Sequence, residues 1–279
     1  MRERLISWLG GPEWLAYLVP TYAHLLGIAL LAAGVAAILR LRQEGIAPRV
    51  SASLALGAWA GGLLGSVLFG VLLHLPEWLA DLSHPQVLAK GGLVSWGGYL
   101  GGAAGALLAV RQVGAAPLVV FDRAVPFVGV GTFFGRLGCF LGGCDFGSVS
   151  ALPIAVRYPR GSPAFSAQLA DGTISAGNAL SLPVHPVQLY EAFAGLALCA
   201  LFSLFPMPGT RPGTRFAAYA ASYAAVRAVI ELFRGDDDRG HLWTLSTAQV
   251  VSLLVIVAAL AAWWSGGRPA RVKVAAEPQ

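Results

Sequence analysis

Seven stretches of roughly 20 mostly apolar residues constrain this chain more than anything else in it. They fall at about 19–39, 52–73, 92–110, 118–141, 187–205, 216–233 and 245–264. A helix rises about 1.5 Å per residue, so about 20 apolar residues cross the roughly 30 Å hydrocarbon core of a bilayer. A soluble domain carries about 25% charged residues to keep its surface wet. Here Asp, Glu, Lys and Arg make up only 12%, while 56% of residues are hydrophobic. The expected fold class is therefore all-α: a polytopic integral membrane protein of about seven transmembrane helices, with the lipid bilayer replacing water over much of its surface.

Positive residues stay on the cytoplasmic side of a membrane. Arg40, Arg42, Arg49, Arg111, Arg123, Arg211, Arg215, Arg268, Arg271 and Lys273 all fall on one side if the spans alternate. That puts the amino terminus and the loops around 74–90, 142–186 and 235–244 outside, with the 267–279 tail in the cytoplasm. Residues 1–18 read as an interfacial segment, because Gly10, Gly11, Pro12 and Glu13 interrupt the apolar start and no small-residue cleavage site follows. A membrane domain then occupies 19–266. Its longest connection, 142–186, is rich in Gly, Ser and Pro and reads as a small outward-facing periplasmic head. Gly57, Gly61 and Gly65, spaced by four, predict close helix packing. The net charge of +5 is dispersed between apolar runs rather than gathered in a basic tract, so no nucleic-acid partner is expected. Cys139, Cys144 and Cys199 are too few for a disulfide scaffold and lack zinc spacing. Neither a metal nor another cofactor is expected, and no obligate protein partner is evident.

Charge inside an apolar stretch marks where chemistry should be sought. The sixth stretch contains YAAVRAVIELFR, in which Tyr223, Arg227, Glu231 and Arg234 are spaced four, four and three apart, on one helical face. Each charge near mid-bilayer costs about 2.5–3.5 kcal/mol, so these groups should face a polar interior. The plainer alternative is an internal Arg227–Glu231 pair with Arg234 reaching out to the interface. At the end of the fourth stretch, GRLGCFLGGCDFG (135–147) sets Arg136 in a glycine-rich turn. Its guanidinium offers a fork of donors to a phosphate, with backbone amides able to approach closely. Alone it could equally be a helix-end arginine touching headgroups. HPVQLYEAF (185–193) opens the fifth stretch: His185 before Pro186 suits a helix start, and Gln188, Tyr190 and Glu191 enter the interface together. Arginines on two separate spans, with Glu191 able to pair one of them, point to an anionic ligand.

These segments, in this order, resemble the prolipoprotein diacylglyceryl transferases. In that family the fourth span ends Gly-Arg-x-x-Asn-Phe-x-Asn-Gly-Glu-x-x-Gly, which Gly135, Arg136, Phe140, Gly143 and Gly147 match in register. An upstream Asp-x-x-x-Pro falls on Asp122 and Pro126. His-Pro-x-Gln-Leu-Tyr-Glu matches residues 185–191 throughout, and Tyr-x-x-x-Arg-x-x-x-Glu-x-x-Arg matches 223–234. Leu245, Ser246, Gln249 and Ser252 match the start of its last span. The resemblance covers most of residues 90–260. It implies an enzyme of the bacterial cytoplasmic (inner) membrane that moves the diacylglyceryl group of phosphatidylglycerol to the thiol of the lipobox cysteine of a preprolipoprotein. Its partners would be phosphatidylglycerol, the lipobox peptide and the bilayer. The implied catalytic set is Arg136 and Arg227 on the lipid phosphate with Tyr223 as a hydrogen-bond donor. Glu191 and Glu231 would orient the arginines, and Gly135, Gly143, Gly147, His185, Gln188, Tyr190 and Arg234 complete the substrate-binding set.

The chain also departs from the family pattern. Where the third span usually begins Gly-Gly-x-Ser-x-His-Gly-Gly, with the His as candidate base, GGLVSWGG places Trp96. The two Asn positions of the arginine motif hold Cys139 and Gly142, and its Glu position holds Cys144. Tyr22 is the counterpart of the Tyr in the family's Arg-Trp-Tyr-Gly, without the Arg. Two readings follow. One keeps the reaction with another base, His24 and His185 being the outer-side imidazoles, a side chain suited to proton abstraction near neutral pH. Alternatively, the chain is a diverged, non-catalytic paralogue that binds or handles an anionic phospholipid. Cys139 and Cys144 read as small replacements without a role, as a thiol acceptor beside Arg136, or as a disulfide pair.

Overall fold

The structure is a computed structural model that describes residues 22–73, 95–205, 207, 210–236, 241–242 and 244–264. The interfacial segment 1–18, the loop 74–90 and the tail 267–279 expected from sequence lie outside those residues. Nine α-helices occur among the described residues: α1 (Tyr22–Gln43), α2 (Pro48–Leu73), α3 (Ser95–Gln112), α4 (Pro117–Ala124), α5 (Val128–Gly142), α6 (Pro163–Ala170), α7 (Val187–Leu204), α8 (Thr214–Glu231) and α9 (Thr247–Trp264). A single 3₁₀ turn, Val125–Phe127, links α4 to α5, and a two-residue antiparallel hairpin, β1 (His241–Leu242) with β2 (Leu245–Ser246), precedes α9.

Among the described residues, five stretches are long and apolar enough to cross a membrane: His24–Gln43, Pro48–Leu72, Pro117–Gly142, Val187–Leu204 and Thr247–Trp264. The two other stretches read from sequence are helical as well, in α3 and α8, but differ in composition. Glycines dilute the hydropathy of α3, and Arg215, Arg227 and Glu231 charge α8. Large apolar side chains stand exposed on the five, among them Leu64, Leu254 and Trp264, as lipid-facing helices require. The chain divides into two compact units, residues 34–124 and residues 1–33 with 125–279, with one division falling inside α1.

In the 34–124 unit, α2 and α3 run antiparallel with glycine against glycine. Gly57 faces Gly105, Gly61 faces Gly101 and Gly65 faces Gly97, so close that a Cβ on any of them would strike the opposite backbone. Lipid tails are as apolar as leucine, so helices in a bilayer gain by backbone approach and dispersion rather than by hiding apolar surface. The spacing of these glycines is thus a packing code. Below the seam, Leu41, Val50, Leu54, Ala106, Val110 and Val120 form a small core. Gly45 and Gly114, both at positive φ, end α1 and α3, and Pro48 and Pro117 begin α2 and α4. Glu44 pairs with Arg40 at 2.6 Å and with Arg123 at 3.0 Å, so two arginines are tied to one carboxylate.

In the second unit, α5 crosses α7 where Gly129 meets Gly195, α7 packs on α8, and α8 on α9. Val125, Leu198, Phe202 and Tyr219 fill the core. The 143–186 connection has regular structure of its own. It holds α6, started by Ser162, whose Oγ accepts from the Phe165 amide at 3.3 Å. Backbone bridges join Val149 and Val156 to Val184, over a miniature core of Phe146, Tyr158, Ala164 and Val184.

Candidate functional site

α5 supplies the first arginine and then reverses. Arg136 lies two turns before the helix ends at Gly142, where Gly143 takes the left-handed conformation (φ 79) and its amide donates to the Cys139 carbonyl at 2.8 Å. A Cβ at Gly143 would press on the Tyr158 ring at 3.0 Å, so both the backbone and the space demand glycine there. Asp145 follows, also at positive φ (53), and is the one non-glycine residue so placed among the described residues. The reversal turns its carboxylate back to Arg136 at 2.7 Å.

α7 supplies the centre. Gln188 and Glu191, three apart, share a buried face, while Leu189 and Tyr190 between them are less enclosed. The Gln188 amide donates to the Cys144 carbonyl at 2.7 Å and to Tyr158 Oη at 3.1 Å, tying the reversed turn to α7. Glu191, 2% exposed, forms an ion pair with Arg136 at 3.0 Å through Oε1, accepts from Tyr223 Oη at 2.6 Å through the same oxygen, and faces Arg227 Nε from Oε2 at 3.8 Å.

α8 closes the arrangement. Tyr223, Arg227 and Glu231 lie one turn apart on one face, as their spacing predicts, and Arg227 Nη1 bonds Glu231 Oε2. Arg234 departs from that face. The helix ends at Glu231, and the amides of Leu232, Phe233 and Arg234 turn tightly to carbonyls three residues back. Arg234 is then placed by pairing with Gly147 across a backbone bridge, and its guanidinium binds Asp145 at 2.8 Å and Asp236 through Nε at 2.9 Å. It is buried and ion-paired rather than extended to the interface. The expected Arg227–Glu231 pair is present, but as part of a larger set.

Carboxylates and guanidiniums therefore alternate: Asp236, Arg234, Asp145, Arg136, Glu191, Arg227, Glu231. Among these seven groups three are cationic and four anionic. Buried charges persist only when paired and hydrogen-bonded, and this alternation does both. The turn beyond the end of α5 shows how the charges act on one another. Burial alone would raise the Asp145 carboxyl, but Arg136 and Arg234 overcome it and bring it to about 2. Burial works against Arg234 likewise, and Asp236 and Asp145 raise it above its ordinary value. Cys144 is lowered first by its hydrogen bond with Cys139, with Arg136 a lesser cause.

The other sequence candidates are placed as follows. His185 sets Nδ1 3.2 Å from Tyr190 Oη and its ring 5.2 Å from Phe233, and its carbonyl accepts from the Gly147 amide. A Cβ at Gly147 would strike His185 and the Phe233 carbonyl, so this glycine is needed for backbone approach. At Gly135 an added Cβ meets nothing within 4 Å. His24 is exposed on the first turn of α1. Trp96 falls on the first turn of α3, and its side chain lies outside what the structure describes. Sequence reading missed Asp145, Asp236, Tyr158 and the role of Ser246. Ser246 bonds the Glu231 side chain while its Oγ accepts from the Gln249 amide at 3.2 Å and Gln249 Oε1 accepts from the Ser246 amide at 3.0 Å. Ser-x-x-Gln ahead of an apolar run was a readable capping signal. For Asp145 the available signal was an acid one position beyond Cys144, next to the vacated Glu position.

The sequence model of the family described as prolipoprotein diacylglyceryl transferase matches residues 15–265. A phosphatidylglycerol–prolipoprotein diacylglyceryl transferase of Clostridium tetani is 28% identical over 242 residues, 85% of this chain and 88% of that protein. A protein of the same name from Psychrobacter arcticus is 33% identical over 74% of this chain and 73% of its own length. One from Rhodopirellula baltica is 34% identical over 67% of this chain, and the match spans only 38% of that longer protein.

Proposed function

Because this chain belongs to the prolipoprotein diacylglyceryl transferase family, we propose that it transfers the diacylglyceryl group of phosphatidylglycerol to the thiol of a preprolipoprotein's lipobox cysteine, with glycerol phosphate leaving. The observation that carries this reading is the buried network in which Glu191 holds Arg136 of α5, Arg227 of α8 and Tyr223 together.

The transfer needs a thiolate, since the thiol is a weak nucleophile at its free pKa of about 8.5. It also needs positive donors on the phosphate as charge grows there, and fixed donors in a dry site do this at least cost. A guanidinium has five N–H donors. Arg227 uses Nε and Nη1 toward Glu191 and Glu231, so both carboxylates fix the plane of its fork while the phosphate takes what remains. Arg136, held between Glu191 and Asp145, is fixed in the same way. Tyr223 would exchange its bond to Glu191 for one to a phosphate oxygen. Gln188 and Arg234 keep the 143–147 turn against α7 and α8, and His24 or His185 takes the acceptor's proton in the place of the histidine that Trp96 replaces.

The same reading has seven spans, α3 and α8 being the two that the polar site and the glycine seam make less apolar. It puts the 142–186 segment outside as a head, the amino terminus outside and the carboxyl terminus in the cytoplasm of a bacterial inner membrane. The test is transfer from labelled phosphatidylglycerol to a lipobox peptide in membranes containing the chain. Arg227→Ala should lose at least a hundredfold of the rate while the variant remains monodisperse in detergent, and Trp96→His should gain. Phosphatidylglycerol that co-purifies with the folded chain while no transfer exceeds a vector control would sink this reading.

A further inference from the structure

The helix end that reverses α5 has a second consequence, at Cys139 and Cys144. Where a helix stops on a left-handed glycine, the side chain just beyond that glycine folds back onto the last turn, and a contact between the two usually fills the gap. Gly143 is that glycine, and here both contacting positions are cysteine. Cys144 Sγ lies 3.7 Å from the Cys139 carbonyl, and the two sulfurs, with an Asp145 oxygen, lie within 4.8 Å of one another. Cys139 is buried and Cys144 partly open, and both are reduced.

We propose that Cys139 and Cys144 are a redox pair that closes reversibly into a disulfide by exchange with an external disulfide. A disulfide has its sulfurs about 2.0 Å apart, so closure from within 4.8 Å asks for sulfur movement of about 3 Å at most. Cys144 reacts first, being accessible: its thiolate attacks one sulfur of the external disulfide, that S–S bond breaks, and the departing thiolate takes up the proton Cys144 gave. The Cys139 thiolate then attacks Cys144 Sγ in the mixed disulfide, and the second external thiolate leaves with the Cys139 proton. Two protein thiols are oxidised and one external disulfide is reduced to two thiols, with no net change in protons. A metal ion is a poor occupant of the same cluster, because Arg136 and Arg234 stand at 2.7 and 2.8 Å from the Asp145 oxygens and oppose a further cation. The bond would pin the turn that carries Asp145 and the Cys144 carbonyl bound by Gln188.

The full chain in detergent, exposed to oxidised glutathione, then denatured and alkylated, tests this by mass spectrometry. The expected product has lost two hydrogens and carries one alkyl group, on Cys199, the remaining cysteine of the chain. Reductant restores three alkyl groups. Cys139→Ser should instead stop at one glutathione on Cys144, and Cys144→Ala should take none. Amide exchange across 143–147 should slow severalfold on oxidation. Three alkyl groups after the oxidant, a stable glutathione adduct on the unsubstituted chain, protection reversed by a chelator rather than a reductant, or unchanged amide exchange would each overturn the proposal.

Discussion

Asp145 is a residue whose backbone and side chain have to be read together. A left-handed conformation costs a residue with a Cβ about 1–2 kcal/mol, and Asp and Asn are the side chains that tolerate it best. The conformation is held because it delivers one carboxylate to two arginines, Arg136 from α5 and Arg234 from beyond α8. Its folded pKa, about 2, lies below the ordinary 3.8. The stabilisation is therefore complete above the unfolded value and is lost as pH falls toward 2. Asp145→Asn keeps the backbone preference and removes the charge. It should lower the thermal midpoint in detergent at neutral pH, flatten the fall in midpoint between about pH 4 and pH 2, and reduce transfer severalfold. An unchanged acid limb would count against the bridge. None of this was visible from residue types alone, because Cys144 sits in the family's Glu position and an acid one place later has no defined direction until Gly143 reverses the chain.

At the scale of elements, the glycine seam of α2 and α3 is the feature whose sequence and structure agree most directly. Gly57, Gly61 and Gly65 predicted close approach, and each meets a glycine of α3 backbone to backbone. Gly61→Leu should separate the helices, and we expect most of the monodisperse protein to be lost on size-exclusion chromatography. Gly135→Ala is the contrasting case: with no atom within 4 Å of the new Cβ, it should leave the fold intact or stabilise α5 by about 0.5–1 kcal/mol. Loss of transfer in a well-folded Gly135→Ala variant would then place substrate beside it. α8 teaches the opposite lesson. Its four-residue spacing correctly joined Tyr223, Arg227 and Glu231, but extrapolation to Arg234 crossed the helix end, and the bridge to Gly147 rather than helical phase decides where that arginine goes.

For the whole molecule, the expected topology can be measured. Single cysteines at Asn178 and at Arg211, in a chain lacking its native three, should react oppositely with a membrane-impermeant maleimide in intact cells: Asn178 labelled, Arg211 labelled only after permeabilisation. Matching accessibility at the two sites would overturn the seven-span arrangement. What the sequence determined by itself was the class of fold and the kind of chemistry. Apolar length and scarce charge are local properties that a bilayer reads directly, and arginines cannot enter it without a polar interior. The motifs also carry the family resemblance by residue type and spacing alone. What only the tertiary structure decided was the wiring. Glu191 between Arg136 and Arg227, Asp145 between Arg136 and Arg234, Ser246 on Glu231 and the paired thiols each join residues from separate elements or across a chain reversal. Such contacts depend on where helices stop and which faces meet, and those are set by packing between segments distant in sequence.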